Sequence, residues 1–139
     1  MYDIVFISYK EPNAEENFSD LYKRFNTVTM FGDRVKRVKD VKGIHNAHVE
    51  AAKMVSTSYF FIVDGDAKIM PDFKFDYTTD DEDFVHVYRS VNPINDLVYG
   101  YGGVKLFPTN QTRNMDTSTT DMTTSITKNF KIINEIANI

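Results

Sequence analysis

Five consecutive apolar residues, Tyr59-Phe60-Phe61-Ile62-Val63, lead directly into Asp64-Gly65-Asp66. A strand sends successive side chains to opposite faces, so a run with no polar position buries both of them. Such a strand needs a covering layer on each side of its sheet. Residues 3–9, Asp-Ile-Val-Phe-Ile-Ser-Tyr, form a second run of strand length that is apolar on both faces at its centre.

Each run is tied to a helical pattern. After Lys10-Glu11-Pro12, Asn13 fits an N-cap, and Glu16 three residues later completes a capping box. Ala14, Phe18, Leu21, Tyr22 and Phe25 then recur at helical spacing. A second amphipathic helix begins after Gly43, with Ile44, Ala47, Ala51, Met54 and Val55 on one stripe. Two strand–helix steps in succession predict an α/β fold whose mixed, mostly parallel sheet is flanked by helices. At 139 residues the chain is expected to form a single compact domain.

The remaining elements are shorter. Residues 27–31 and 35–41 read as short strands around Gly32-Asp33. Residues 72–77 alternate as a half-exposed strand does, and Asp80 to Asp83 read as a solvated acidic loop. Phe84 to Arg89 is another strand. Leu97 to Phe107 is β structure interrupted by Gly100, Gly102 and Gly103. Residues 109–121 are polar, and Met122, Ile126, Phe130, Ile133 and Ile136 predict a final helix.

Composition narrows the function classes. There is no cysteine, which removes disulfides and thiolate metal sites and fits a reducing, cytoplasmic setting. No stretch approaches the roughly 18 apolar residues of a membrane span, and the N-terminus lacks a signal-peptide pattern. The net charge of −4 argues against nucleic acid as the main partner. The basic run Arg34 to Lys42 is the local exception, and it reads either as a solvated strand edge or as a contact for phosphates. A domain rich in Tyr and Phe is also able to cover an apolar patch by forming a homodimer.

Ligands of open α/β sheets bind outside the C-terminal ends of the strands. Two such ends are visible, Ser8-Tyr9-Lys10-Glu11 and Asp64-Gly65-Asp66. In the latter, two carboxylates lie one residue apart, with a glycine that lets the backbone turn between them. That arrangement suits a hard divalent cation with open positions for diphosphate oxygens. It equally suits a β-turn whose aspartates satisfy local N–H groups. His45 and His48, three apart, lack a third ligand for a metal site of their own.

Taken together, Gly43-Ile44-His45-Asn46-Ala47-His48, Ala51-Ala52, the strand Tyr59–Val63 with Asp64-Gly65-Asp66-Ala67, and Pro71-Asp72-Phe73 resemble the GT-A-fold glycosyltransferases, notably their family 2-like group. The resemblance covers roughly residues 3–73. It implies a nucleotide-sugar-binding half over 1–75 and an acceptor half over 76–139. It further implies transfer of a sugar from a nucleoside-diphosphate sugar, a UDP-sugar in the first instance, with Mn²⁺ or Mg²⁺ as cofactor. Asp66 would be the principal metal ligand, and Asp64 would contact the metal or the ribose. Ser8, Tyr9 and Glu11 would lie at the nucleoside end, with Lys42, His45 and Asn46 near the base or diphosphate. The general base of an inverting transfer would come from Asp96, Asp116 or Asp121, with Asp116 and Asp121 on the polar segment. The Gly100–Gly103 stretch is similar to a glycine-rich acceptor-side strand.

Two other classes use the same motif. A haloacid-dehalogenase-like phosphatase also places Asp-x-Asp after an apolar strand, although normally the first strand of its domain, and Lys68 stands where that motif has Thr or Val. A non-catalytic nucleotide-sugar-binding module would need only the donor half.

Overall fold

A computed structural model describes residues 1–99, 102–115, 117, 126–127 and 129–139. The first strand, β1 (Asp3–Ser8), runs into helix α1 (Ala14–Phe25). A small hairpin of β2 (Val28–Thr29) and β3 (Gly32–Asp33) leads to β4 (Val35–Lys39). Helix α2 (Ile44–Met54) and strand β5 (Tyr59–Asp64) follow. The second half supplies β6 (Val85–Val91), β7 (Val98–Tyr99), β8 (Val104–Pro108), the short helix α3 (Thr109–Arg113) and β9 (Phe130–Asn138).

One 7-stranded sheet carries the fold, in the order β4-β1-β5-β8-β6-β7, with β9 also paired to β6. Strands β4, β1 and β5 are parallel neighbours; β8 is antiparallel to β5 and to β6, and β9 is parallel to β6. Strands β4, β1, β5, β6 and β9 therefore point one way, and β7 and β8 the other. The architecture is α/β, with a mixed, mostly parallel sheet flanked by helices.

The core lies in two layers, as the unbroken apolar run of β5 requires. Phe61 and Val63 pack with Ile4, Phe6 and Leu21 on the α1 side. Phe60 and Ile62 pack with Val5, Ala47, Ala51 and Phe107 on the α2 side. Small residues on α2 let that helix approach closely, and Gly43 opens it with φ 91°, a conformation an L-residue rarely adopts. Asn13 does occupy the N-cap of α1, but its side chain makes no capping hydrogen bond, so the expected capping box is not formed.

Three expectations are corrected. Residues 72–77 form no strand. Phe73 and Phe75 are buried and their neighbours exposed, as the alternation required, but φ of 53° at Phe75 bends the backbone out of any ladder. Phe130–Asn138 is a strand rather than a helix, held along β6; Met122 lies outside the described residues. The basic run is a solvated edge only in part, and its cations divide among different roles, with Lys42 reaching the cleft described below. Arg34 is buried and donates to the backbone oxygens of Tyr2 (2.9 Å) and Phe75 (2.6 Å). Arg37 lies over the rings of Phe6 and Phe18 and forms an ion pair with Glu15 (2.7 Å). Lys39 is exposed on the edge strand β4, where an added charge discourages edge-to-edge pairing. In the acidic loop 80–83, Asp80 and Glu82 are exposed and Asp81 and Asp83 partly buried, with Asp81 paired to Lys131.

Tyr88 is fully buried among Phe61, Phe73 and Tyr77, and its hydroxyl has no hydrogen-bond partner among the described residues. Burial also pushes its ionisation upward, so the group stays a neutral, unpaired phenol. Leaving a buried donor unpaired costs about 1–3 kcal/mol. Tyr88→Phe keeps the ring and removes that cost. It is expected to stabilise the fold by about 1 kcal/mol in urea unfolding; a loss of stability would mean that the hydroxyl is satisfied in solution.

Candidate functional site

Strands β1 and β5 are adjacent and parallel, and Ile7 stands opposite Asp64 in the register. Their C-terminal ends therefore open side by side. Between them and the start of α2 lies a cleft of about 630 Å³, lined by Ser8, Tyr9, Glu11, Lys42, Asp64 and Asp66, with Ile44 and His48 on the α2 side. The residues expected at the nucleoside end and the two expected metal ligands thus share one cavity.

His45 and Asn46 do not line it. Successive helix positions turn by about 100°, so Ala47 and His48 face the cleft while the two residues before them turn away. Asn46 is exposed and donates to the Lys42 carbonyl at 3.4 Å. His48 sits in the wall: Nδ1 lies 2.8 Å from the Ile44 carbonyl, and the ring meets Phe107 edge-on. Burial lowers its pKa to about 4, so it is a neutral packing group at ordinary pH.

The turn itself is held from α1. Asn17 donates to the Gly65 carbonyl (3.1 Å), and the Glu11 carboxylate accepts the Tyr9 N–H (2.6 Å). Glu11 also packs so closely on Gly65 that a Cβ there would meet its carboxylate oxygen at 2.6 Å. A side chain between the two aspartates would therefore have to push the end of the Glu11 side chain aside, while the backbone angle there makes no demand for glycine. Lys10, between Tyr9 and Glu11, has φ of 61°, a strained conformation that brings the Glu11 side chain back under the turn. Beneath Ser8, Arg37 donates to its hydroxyl (3.0 Å) and is itself fixed by Glu15, whose carboxyl is held well below the usual range.

Asp64 is partly buried, and its carboxylate accepts no hydrogen bond from the described residues. Burial raises its pKa from 3.8 to about 6; Lys105 opposes the rise, and Asp66 and Glu11 add to it. The unfolded chain therefore loses this proton near pH 4, and the folded protein only near pH 6. Ionised Asp64 destabilises the fold progressively as pH rises across that window and by a constant amount above it. Asp64→Asn is expected to stabilise the protein by about 2 kcal/mol at pH 7.5 and by almost nothing at pH 4. Urea titrations at the two pH values check this; a variant weaker than wild type at pH 7.5 would contradict the burial argument.

An ionised, half-buried carboxylate without a donor is compensated well by a cation. Asp64 and Asp66 supply oxygen ligands only, which fits Mg²⁺ or Mn²⁺. No group of three or more His, Asp or Glu able to hold a metal exists among the described residues. The protein's share of a coordination sphere would thus be these two carboxylates, with the rest left to ligand oxygens and water.

A second cavity, about 390 Å³, lies on the other side of the same two aspartates and reaches Gly102, Gly103 and Lys105. Asp64 is anchored there through its backbone, which donates to the Gly103 carbonyl at 2.8 Å. Of the base candidates, Asp96 is exposed in the β6–β7 turn and lines neither cavity. Asp116 and Asp121 lie outside the described residues, as do Gly100 and Tyr101. A further cavity, about 810 Å³, is at the opposite end of the sheet, between Val55–Tyr59 and the acidic loop, away from both aspartates.

Asn17, Arg37, His48 and Lys105 were not legible as site residues. Asn17 and Arg37 act on partners 48 and 29 positions away, so no local spacing marks them. Strand parity alone would have placed Arg37 on the Phe6 face, because the two are register partners.

No family model matches the chain, and no curated protein matches it. Among solved structures it is similar to HddC from Yersinia pseudotuberculosis, with a TM-score of 0.54 at 17% identity, over 96% of this chain and 69% of HddC. That likeness is one of fold. No helix among the described residues is long and apolar enough to cross a membrane.

Proposed function

We propose that the chain is a single GT-A-like domain that transfers a sugar from a nucleoside-diphosphate sugar to an acceptor, dependent on Mn²⁺ or Mg²⁺ bound at Asp64 and Asp66. The observation carrying this reading is the shared cleft: the ends of two neighbouring parallel strands open together, with Asp-Gly-Asp on its rim. Its volume of about 630 Å³ is of the size that small-molecule and cofactor sites occupy.

In this reading Tyr9, about half exposed, and Ile44 offer apolar surface to a base at the mouth. Ser8 and Glu11 offer polar atoms to the ribose, and Lys42 offers charge to the diphosphate. Asp64 and Asp66 would hold the cation, which would supply positive charge to offset that of the departing diphosphate. The protein orients the donor by fixing Ser8 through Arg37 and the aspartate turn through Asn17 and Glu11. The preference over the phosphatase reading rests on order: β1 and β4 both precede β5 in the chain.

Thermal unfolding with UDP-sugars and Mn²⁺ tests the proposal. A nucleotide at 100 times its Kd should add about 2.7 kcal/mol of stability. Silence towards every nucleotide tried, with and without metal, would sink it. Covalent trapping of Asp64 by beryllofluoride would replace it with the phosphatase reading, and binding without turnover across a broad acceptor panel would reduce it to a binding module.

A further inference from the structure

The two aspartates do not sit at the bottom of one pocket; they form the partition between two. The donor cleft lies on the β1–α2 side, and the smaller cavity of about 390 Å³ lies towards β6, β8 and the end of β9. The lining of that smaller space is polar. Gly102 and Gly103 line it, and neither has room for a side chain: a Cβ on Gly103 would meet the Ala67 Cβ at 2.7 Å, and one on Gly102 would meet Asn138 Oδ1 at 2.9 Å. Asn138 is buried, and its Oδ1 accepts the Gly103 N–H at 2.9 Å. Ser90 is also buried and donates to the Asn138 carbonyl at 3.1 Å, which leaves its hydroxyl lone pairs for a ligand.

Lys105 is the one cation among the described residues lining this cavity. It projects from β8, a central strand, with its neighbours Val104 and Leu106 buried. It shares the α2 face with its register partner Ile62, and its ammonium forms no ion pair and donates no hydrogen bond among the described residues, although Asp64 and His48 are both close enough to feel its charge. A lysine on a central strand beside a wall of two aspartates could satisfy itself on them, yet it stays unpaired. If a divalent ion takes up the charge of the aspartates, Lys105 is left facing a polar, sugar-sized space.

From this placement we infer that the smaller cavity is the subsite of the second substrate, and that this substrate is a hydroxylated small molecule carrying an anionic group, carboxylate or phosphate, held by Lys105. The inference rests on the donor reading for the word "second", but the anion site has its own evidence in the cavity and the unpaired ammonium. Hydroxyls of the ligand face Ser90 and the Asn138 amide, whose Nδ2 uses one N–H on the Ile139 carbonyl (3.2 Å) and keeps the second for a ligand; the anion faces Lys105.

The test is a ratio measured on one protein. Glucuronate, glucose 6-phosphate and glucose are titrated by calorimetry, with and without UDP and Mn²⁺. At least one anionic sugar should bind about tenfold or more tightly than glucose, the size of one charge-assisted contact. In Lys105→Met, which keeps the aliphatic stem, that ratio should fall towards one, and Lys105→Arg should restore part of it. Carboxylate and phosphate are told apart by which of the two sugars carries the preference. A wild-type ratio near one, no binding of any of the three sugars, or a ratio unchanged in Lys105→Met overturns the inference. A Lys105-dependent ratio without any response to UDP and Mn²⁺ would retain the anion site and remove the donor reading; UDP–Mn²⁺ binding with no anion preference would do the reverse.

Discussion

Asp66→Ala is expected to lower Mn²⁺-dependent affinity for a UDP-sugar by about 100-fold or more, equivalent to about 2.7 kcal/mol. Asp66 is exposed on the rim shared by both cavities, and its side chain accepts no hydrogen bond from the described residues. Nothing in the fold therefore depends on its carboxylate, and stability without ligand should stay within about 0.5 kcal/mol of wild type. The protein's contribution to a cation is two carboxylates, so removing one halves it and leaves the other half-buried. Calorimetry with Mn²⁺, and again with EDTA, reads the effect. Affinity unchanged in the variant would remove the metal site from the proposal. The two aspartates separate cleanly: Asp64→Asn should also lose cation affinity but gain stability, because only Asp64 is buried enough to be destabilised by its own charge.

The donor side of this arrangement was legible because its signals are local. An apolar run long enough to exclude a polar face specifies a central strand, and a strand end specifies where ligands go. Ser8, Tyr9, Glu11, Asp64 and Asp66 follow from those two rules, given only that β1 and β5 are neighbours. The far side was not legible, and β9 shows why. Phe130, Ile133 and Ile136 recur every three residues, which reads as a helix face. Along β6, however, Tyr88 stands opposite Ile133, Arg89 opposite Ile136, and Ser90 opposite Asn138, with register shifts at both steps. The bulges absorb the extra residues, and a strand's period of two is stretched to look like a helix. The isoleucines, β-branched and suited to strands, were the contrary sign. Lys105 was hidden differently: it lies within a stretch readable as β structure, but which cavity it faces depends on β8 running antiparallel to β5, which no single segment encodes.

Phe75→Ala is expected to cost about 3–5 kcal/mol, the largest stability loss argued for this chain, although Phe75 belongs to no helix or strand. The segment after the aspartate turn, residues 70–83, crosses one face of the sheet without a ladder of its own. Hydrogen bonds from Arg24, Arg34, Tyr2 and Tyr59 reach its backbone, and its apolar anchor is aromatic. Phe75 meets Phe25 at 4.7 Å, Phe61 at 5.1 Å and Phe73 at 4.7 Å between ring centroids, each edge-to-face. Its ring is fully buried, and its carbonyl accepts the buried Arg34 guanidinium. Alanine keeps the left-handed backbone strain and empties the space, so the loss combines transfer and cavity terms. Because Phe61 stands three residues before Asp64 on β5, the same cavity loosens the strand that presents the aspartates. The variant should therefore weaken UDP-sugar binding as well as lower the urea midpoint. Lys74→Ala, exposed on the same segment, should change neither beyond about 0.5 kcal/mol. A Phe75→Ala loss below about 1 kcal/mol would mean that the segment is not seated on the sheet in solution, and that the α1 face of the core is covered in some other way.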